Sequence, residues 1–177
     1  MLDIAVSYNR YKFLGNEFLT WLWFVIEKEG QLLETPDKDP VSLTIGNRIT
    51  FENRLNDDAV ESITIKGDDA GLEEGIIALR KGSVVTELNL SFKTGDQEWR
   101  FNIKGESLNL STVKHPETAP EESAAKEEHE GVVLEKIYLY GKAVDFVDHM
   151  FKKFIRLRIA GEWNTDVLPR MRQWIAS

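Results

Sequence analysis

The stretch that decides the fold is "SVVTELNLSFKTGDQEWRFNIK", residues 83–104. Apolar and polar side chains alternate on both sides of the polar segment 94–97, which is typical of two strands joined by a turn. A loop at this segment pairs three apolar couples on one face: Phe92 with Trp99, Leu90 with Phe101, and Leu88 with Ile103. It also pairs opposite charges on the other face: Lys93 with Glu98, and Glu87 with Lys104. Because both faces agree, this register is well specified.

A third strand is predicted after this hairpin. Gly105 and Glu106 suit a tight turn, and "SLNLST" then places Leu108 and Leu110 beside Ile103 and Phe101. The result is a three-stranded antiparallel meander with one apolar face and one polar face.

The segments before the meander predict more sheet and one helix. In "SLTIGNRITFE" (42–52), a loop at 46–48 makes Ile45 face Ile49 and Leu43 face Phe51, so we expect a hairpin there. "AVESITIKG" (59–67) predicts another strand. "AGLEEGIIALRKG" (70–82) predicts a helix that ends at Gly82.

The N-terminal segment predicts a strand followed by a buried helix. Alternation in "LDIAVSY" (2–8) indicates a short strand. In "FLGNEFLTWLWF" (13–24), Asn16 suits the cap of a helix and Gly30 suits its stop. That helix is apolar on all sides, which favours burial over a protein-binding or membrane surface, and it is too short to span a bilayer.

The C-terminal third predicts a long amphipathic helix over about 132–159, followed by a short one after Gly161. Ile137, Tyr140, Val144, Val147, Phe151 and Phe154 follow a 3-4 spacing. This stripe either packs on the apolar face of the sheet or forms a short coiled coil with another chain. The interface candidates are Tyr140, Val147, Phe151 and Phe154.

Three regions follow from these elements. Residues 1–114 form a sheet domain, 115–131 an acidic flexible linker with six acids and two prolines, and 132–177 a helical arm that packs on the sheet. The predicted class is α+β: an antiparallel sheet, made of a hairpin and a three-stranded meander, packed against helices with a long C-terminal helix.

Composition restricts the possible functions. The net charge is −8, which argues against a surface built throughout for nucleic acid. There is no cysteine, so disulfides, thiolate metal sites and cysteine nucleophiles are excluded. Since no long apolar run or signal peptide is recognisable, we expect a soluble, cytoplasmic protein with no membrane partner.

Positive charge collects near the C-terminus. "KKFIRLR" (152–158) contains Lys152, Lys153, Arg156 and Arg158, and Arg170 and Arg172 follow. These cations either complement the end of the helix dipole or contact DNA phosphates in a sequence-independent, salt-sensitive way. A second basic set on the polar sheet face, Lys93, Arg100 and Lys104, is weakened by its predicted acidic partners.

The sequence gives little support for a catalytic or metal-binding site. The acid pairs Asp57-Asp58 and Asp68-Asp69 are the candidates for a metal-dependent nuclease, but adjacent acids of this kind are also common in turns. His115, His129 and His149 show no zinc-ligand spacing. No nucleotide-binding loop or nucleophile motif is present, so no catalytic residue, metal or cofactor is predicted.

Two segments resemble a known family. "IIALRKGSVVTELNLSFKTGDQEWRFNIKGESLNLSTV" (76–113) resembles the C-terminal half of the recombination-associated protein RdgC family, and "EFLTWLWFVIEKEG" (17–30) is similar to a helix of that family. The resemblance covers about residues 13–156. It implies a cytoplasmic, nucleoid-associated, dimeric protein that binds duplex DNA with little sequence preference and acts in recombination. The chain departs from the family in lacking its N-terminal half and in being acidic.

Three functions remain open at this point. The leading hypothesis is a non-enzymatic RdgC-like protein that binds DNA through Lys152, Lys153, Arg156 and Arg158, with Arg170 and Arg172 in addition. The second is a protein-interaction module that forms a homodimer or binds a phage or host factor. The third is the metal-dependent nuclease.

Overall fold

The computed structural model describes residues 4–30, 33–56, 59–67, 70–117 and 126–177. The helices are α1 (Ile4–Glu29), α2 (Ala70–Arg80), α3 (Lys126–Ile159) and α4 (Leu168–Ala176), and a π-helical turn (Trp163–Val167) leads into α4. The strands are β1 (Ser42–Asn56), β2 (Ala59–Lys66), β3 (Val84–Thr94), β4 (Gln97–Lys104) and β5 (Leu110–Lys114). No described helix combines the length and apolarity that a bilayer-spanning segment requires.

The five strands form one antiparallel sheet in the order β2-β1-β3-β4-β5. The α+β class, the meander and the long C-terminal helix are therefore confirmed. The strand predicted at 59–67 and the helix predicted at 70–82 are also present, as β2 and α2.

The predicted register between β3 and β4 is confirmed at every pair. Phe92 lies opposite Trp99, and the opposite-face pairs, Lys93 with Glu98 and Glu87 with Lys104, also form. The Phe92 and Trp99 rings stack with their centroids 4.5 Å apart. The third strand differs, because Leu110 lies opposite Ile103 and Leu108 stays in a longer connection with φ 55°.

The N-terminal prediction is wrong in one respect. Residues 4–29 form one continuous helix, so there is no strand at 4–8 and Asn16 lies inside the helix instead of capping it. The hydroxyl of Thr20 donates a hydrogen bond to the Asn16 carbonyl oxygen, within that continuous helix. The predicted burial is confirmed: Phe18, Leu19 and residues 21–25 are all buried, and the helix ends at Glu29, next to Gly30.

The predicted hairpin at 42–52 is also wrong. Residues 42–56 form the single strand β1. Against β3, Ile45 lies opposite Leu90 and Ile49 lies opposite Leu88, so residues 46–48 bulge out of the ladder across from Asn89. A bulge and a short loop both keep Ile45 and Ile49 on one face, and for this reason the alternation could not distinguish them.

One hydrophobic core joins the sheet to the helices. Trp23 of α1 packs near Phe51 of β1, with ring centroids 6.1 Å apart. Phe18 of α1 lies 5.6 Å from Phe154 of α3 between ring centroids, and Phe154 in turn contacts Trp163. Aromatic contacts therefore link α1 to the strands on one side and to the C-terminal helices on the other.

The start of α3 differs from the prediction. The helix begins at Lys126, six residues before the predicted start and inside the predicted linker. Its end at Ile159 agrees with the prediction. The rest of the linker prediction, at 118–125, lies outside the described residues.

Candidate functional site

The inner side of α3 packs on the sheet. Five of its buried residues define the inner stripe: Leu139, Ala143, Phe146, Met150 and Phe154. Phe146 stacks on Phe92 with ring centroids 4.7 Å apart, and the indole N–H of Trp99 donates a 2.9 Å hydrogen bond to the Leu139 carbonyl oxygen. These contacts fix the rotation of α3 about its own axis.

The other side of α3 is also apolar, and it is exposed. Six side chains define the outer patch: Val133, Leu134, Ile137, Tyr138, Tyr140 and Val144. Ile137 is 63% exposed and Leu134 66%. Ile137 is nine residues before Phe146, about two and a half helical turns, so the two side chains point in opposite directions.

The first turns of α3 make no core contact through the side chains that are described. From Glu130 to Tyr138 no side chain is buried, and Leu139 is the first buried residue of the helix in the described set. Lys142 lies over the Tyr138 ring, with its ammonium 5.2 Å from the ring centroid. The apolar residues here therefore contact neither the sheet nor α1.

The four predicted interface residues are divided between the two sides. Tyr140 belongs to the outer patch at 44% exposed, whereas Val147 is buried and Phe154 is fully buried. Phe151 is half-buried, and its ring meets the Phe18 ring edge-on at 5.2 Å. Three of the four predicted interface residues are thus buried or half-buried in the chain's own core, and the rings of Phe151 and Phe154 contact Phe18 of α1.

Sequence reasoning missed Val133, Leu134 and Tyr138. Val133 and Leu134 precede Ile137, the first residue of the 3-4 pattern, and Tyr138 follows Ile137 but does not belong to that pattern. A helix with apolar residues on two sides gives two overlapping patterns. One signal in the sequence could have identified them. The helix over 132–147 has apolar residues on nearly all of its sides, and these are more than a single buried face requires.

Several of the predicted DNA-contacting cations have acidic partners. The ammonium of Lys152 is 2.6 Å from the Asp148 carboxylate. Arg158 donates a 2.9 Å hydrogen bond to Glu17 and lies over the Trp163 ring.

Arg170 pairs with Glu29 and, at 3.4 Å, with Asp166. The Glu29 carboxylate is the main reason why the pKa of Arg170 is raised above its ordinary value.

Three cations remain together on the solvent side of α3: Lys152, Lys153 and Arg156, which we call the basic stripe. All three side chains are exposed. Arg172 is exposed as well, but it lies on α4, where it lines a cleft between α1, the start of β3 and α4. The structure therefore does not place all six predicted cations on one surface.

In the second basic set, on the polar sheet face, Arg100 has an acidic partner. Arg100 donates a 2.9 Å hydrogen bond to Glu98, and the Ser91 hydroxyl donates another at 2.8 Å. The Arg100 bond first, and the Ser91 bond second, hold the pKa of Glu98 below its ordinary value. These side chains satisfy one another in place of an external anion.

Metal and acid–base sites find no support among the described residues. No group of three or more histidine, aspartate or glutamate side chains there could hold a metal ion. Asp57, Asp58, Asp68 and Asp69 lie outside the described residues. The ring of His115 hydrogen-bonds the Pro116 carbonyl oxygen at 2.8 Å, and His149 lines a shallow cleft beside Asp145 and Asp148.

A larger cleft of about 680 Å³ lies between α1, the start of β3 and α4. Phe13, Val84 and Met171 are among its lining residues, and so is Glu17, which is paired with Arg158. The Asn16 side-chain oxygen, in the lining of this cleft, is buried and has no hydrogen-bond partner among the described residues. This lining provides no nucleophile with a paired base.

Comparisons with protein-family models, with curated proteins and with the solved structures found no match to this chain. The resemblance to the RdgC family stays a prediction.

Proposed function

We propose that this chain is a non-enzymatic protein-association module and that it associates through the outer patch of α3. The observation that carries the proposal is a helix that is apolar on two opposite sides while only one side is covered. A helix that is apolar all round is normally buried on all sides. No described residue of this chain buries the outer patch, so we assign its covering to another polypeptide.

The size of the outer patch supports this proposal. Its six side chains expose on the order of 600 Å² together, which is at the upper end for a monomer and is typical of interaction sites. Burying such surface contributes roughly 25 cal/mol per Å² before the costs of association are subtracted. The gain is large enough to support specific binding.

The start of α3 gives a second argument. Helices shorter than about 12–15 residues are marginal in water, and most helical stability in proteins comes from packing. Residues 126–138 are helical, but no side chain from 130 to 138 is buried. A partner on the outer patch would supply the packing that this end of the helix lacks.

The test is the molar mass in solution, measured by light scattering after size exclusion at several loading concentrations. We expect the wild-type mass to rise with concentration toward a defined oligomer. Ile137→Glu should stay monomeric, because it places a carboxylate in the centre of the patch. Ile77→Glu is the matched control, since Ile77 is also an exposed isoleucine on a helix but lies on α2, outside the patch, and it should behave as wild type.

A wild-type protein that stays monomeric at every concentration would contradict this function. So would an Ile137→Glu variant that assembles as well as the wild type. Circular dichroism of each variant would verify that the fold is retained.

A second candidate function is sequence-independent DNA binding, as the resemblance to the RdgC family implies. The basic stripe favours it, because three exposed cations lie together on the solvent side of α3. Binding of this kind weakens steeply with salt. It would be measured with a labelled duplex in a salt titration, and the absence of affinity at low salt would eliminate it.

A further inference from the structure

We infer that the outer patch binds the outer patch of a second copy of this chain, with the two α3 helices antiparallel. The inference rests on the proposed function and adds the partner and its orientation. It also assigns a role to the basic stripe, which would contact the acidic start of the partner's α3.

Charge is distributed unevenly along α3. Residues 126–138 contain four glutamates and two lysines, whereas residues 149–159 contain four cations and no acid. The outer patch lies between these two ends, at 133–144. A helix with an acidic start, an apolar middle and a basic end is complementary to a reversed copy of itself.

The orientation follows from these charges. An antiparallel pair centred on the outer patch brings residues 127 and 128 of each helix opposite residues 150 and 149 of the other. The acidic start therefore lies within about one helical turn of Lys152 and Lys153 of the second copy, twice in a symmetric dimer. A parallel pair would place the three cations of one basic stripe beside those of the other, and like charges across an interface oppose association. The helix dipoles also oppose each other favourably in the antiparallel pair.

The shape of the outer patch fits a second helix. The patch is centred between Tyr138 and Leu139, so reversal about that point places Val133 near Val144 of the second copy and Ile137 near Tyr140. Gly141 lies among these residues, and a methyl group added there would meet nothing within 4 Å. A small residue on a helix surface lets a second helix approach closely, and here it leaves room for a large side chain such as Leu134.

The area is adequate for a specific dimer. A standard interface buries about 800 Å² on each partner. The outer patch supplies at most on the order of 600 Å² of that, and the charged ends of the helices supply the polar rim.

The basic stripe can exchange its present contacts. Lys152 and Asp148 form an i,i+4 pair in which the side chains are 65% and 53% exposed, and exposed pairs of this kind contribute little to stability. Lys153 and Arg156 are likewise exposed to solvent. These cations can therefore reach acidic groups on a neighbouring helix without disrupting the core.

Single cysteines would test the orientation, because the chain has no cysteine of its own. Val133→Cys and Val144→Cys would be prepared separately, then oxidised mildly alone and as an equimolar mixture. In the antiparallel dimer only the mixture forms a covalent dimer efficiently, since residue 133 faces residue 144. Glu135→Cys is the control, because it is exposed on the same helix outside the outer patch, and it should not cross-link.

Each outcome decides between the proposals. Efficient cross-linking of each variant alone would show a parallel pair, which overturns the inference and leaves association through the outer patch intact. A monomeric mass for the wild type, with no cross-linking, would overturn both. Cross-linking in the mixture alone supports both.

Charge reversal would test the role of the basic stripe. Replacing Lys152, Lys153 and Arg156 together by glutamate should weaken self-association on the order of tenfold, and the wild-type affinity should fall with added salt. The matched control replaces Lys66, Lys81 and Arg172 by glutamate, which gives the same change in net charge at exposed sites away from α3. If the first variant dimerised normally but lost affinity for a duplex that the wild type binds, the stripe would be a phosphate-binding surface and this role would be wrong.

Discussion

At the residue scale, two glycines determine how closely α1 approaches the sheet. A methyl group added at Gly15 would fall on the carbonyl oxygen of Gly105, in the connection after β4. One added at Gly105 would lie 2.5 Å from the Asn16 side-chain oxygen. Backbone therefore packs directly against backbone here, at the point where α1 continues through Gly15 and Asn16.

The first prediction concerns Gly15→Ala. In an open helix position this change stabilises a protein by up to about 1 kcal/mol, because alanine has the higher helix propensity. At Gly15 the sign should reverse, with a loss of about 1–3 kcal/mol, since the Gly105 carbonyl belongs to the backbone and cannot rotate away. Urea unfolding measures the difference.

The matched control for this prediction is Gly131→Ala in α3. A methyl group at Gly131 meets nothing within 4 Å, so that variant should be as stable as the wild type or more stable. A stabilised Gly15→Ala protein would show that α1 does not lie this close to the connection.

At the element scale, the bulge in β1 is held by a polar pair on the sheet. The side-chain amide of Asn89 donates a 2.6 Å hydrogen bond to the Asn102 side-chain oxygen on β4. Gly46 lies in the bulge directly over Asn89, and a methyl group added there would overlap the Asn89 side-chain oxygen. The absence of a side chain at Gly46 therefore gives Asn89 the space to keep this bond.

The second prediction is a coupling between these two residues. Gly46→Ala should destabilise the fold by about 1–3 kcal/mol, because the hydrogen bond prevents Asn89 from moving aside freely. Asn89→Ala alone should cost about 1 kcal/mol or more for the lost hydrogen bond. In the double variant the methyl group has space, so the two losses should not add.

A double-mutant cycle tests this coupling. It compares the unfolding free energies of the wild type, the two single variants and the double variant. Strictly additive losses would show that Gly46 and Asn89 do not share this space.

The strands and helices also show which features of the fold could be predicted from the sequence. The β3–β4 register followed from the sequence because two independent faces, one apolar and one charged, required the same pairing. The bulge at 46–48 did not, since a loop satisfies the same alternation. In α3, the periodicity predicted a helix but not which apolar side is covered, because Ile137 and Phe146 are equally apolar. Only contact with Phe92 and Trp99 distinguishes the inner stripe from the outer patch.

At the scale of the whole molecule, one core holds the sheet, α1 and the second half of α3, while the start of α3 carries apolar surface without a described contact. Folding and association are then linked. Binding that occurs only in the folded state stabilises it by mass action. The stability of this chain should therefore depend on its own concentration.

The third prediction tests this linkage through the melting temperature. For a folded dimer that unfolds to monomers, a hundredfold rise in concentration stabilises the dimer by about 2.7 kcal/mol, or half of that per chain. For a chain of this size, that corresponds to a rise in Tm of about 3–5 °C. Ile137→Glu should melt at one temperature throughout the same range, because it cannot associate. Ile77→Glu on α2 should show the same dependence on concentration as the wild type, which excludes a general effect of added negative charge. A wild-type Tm that is independent of concentration would mean that the outer patch remains uncovered in the folded protein, and the apolar start of α3 would then be stable without a second copy.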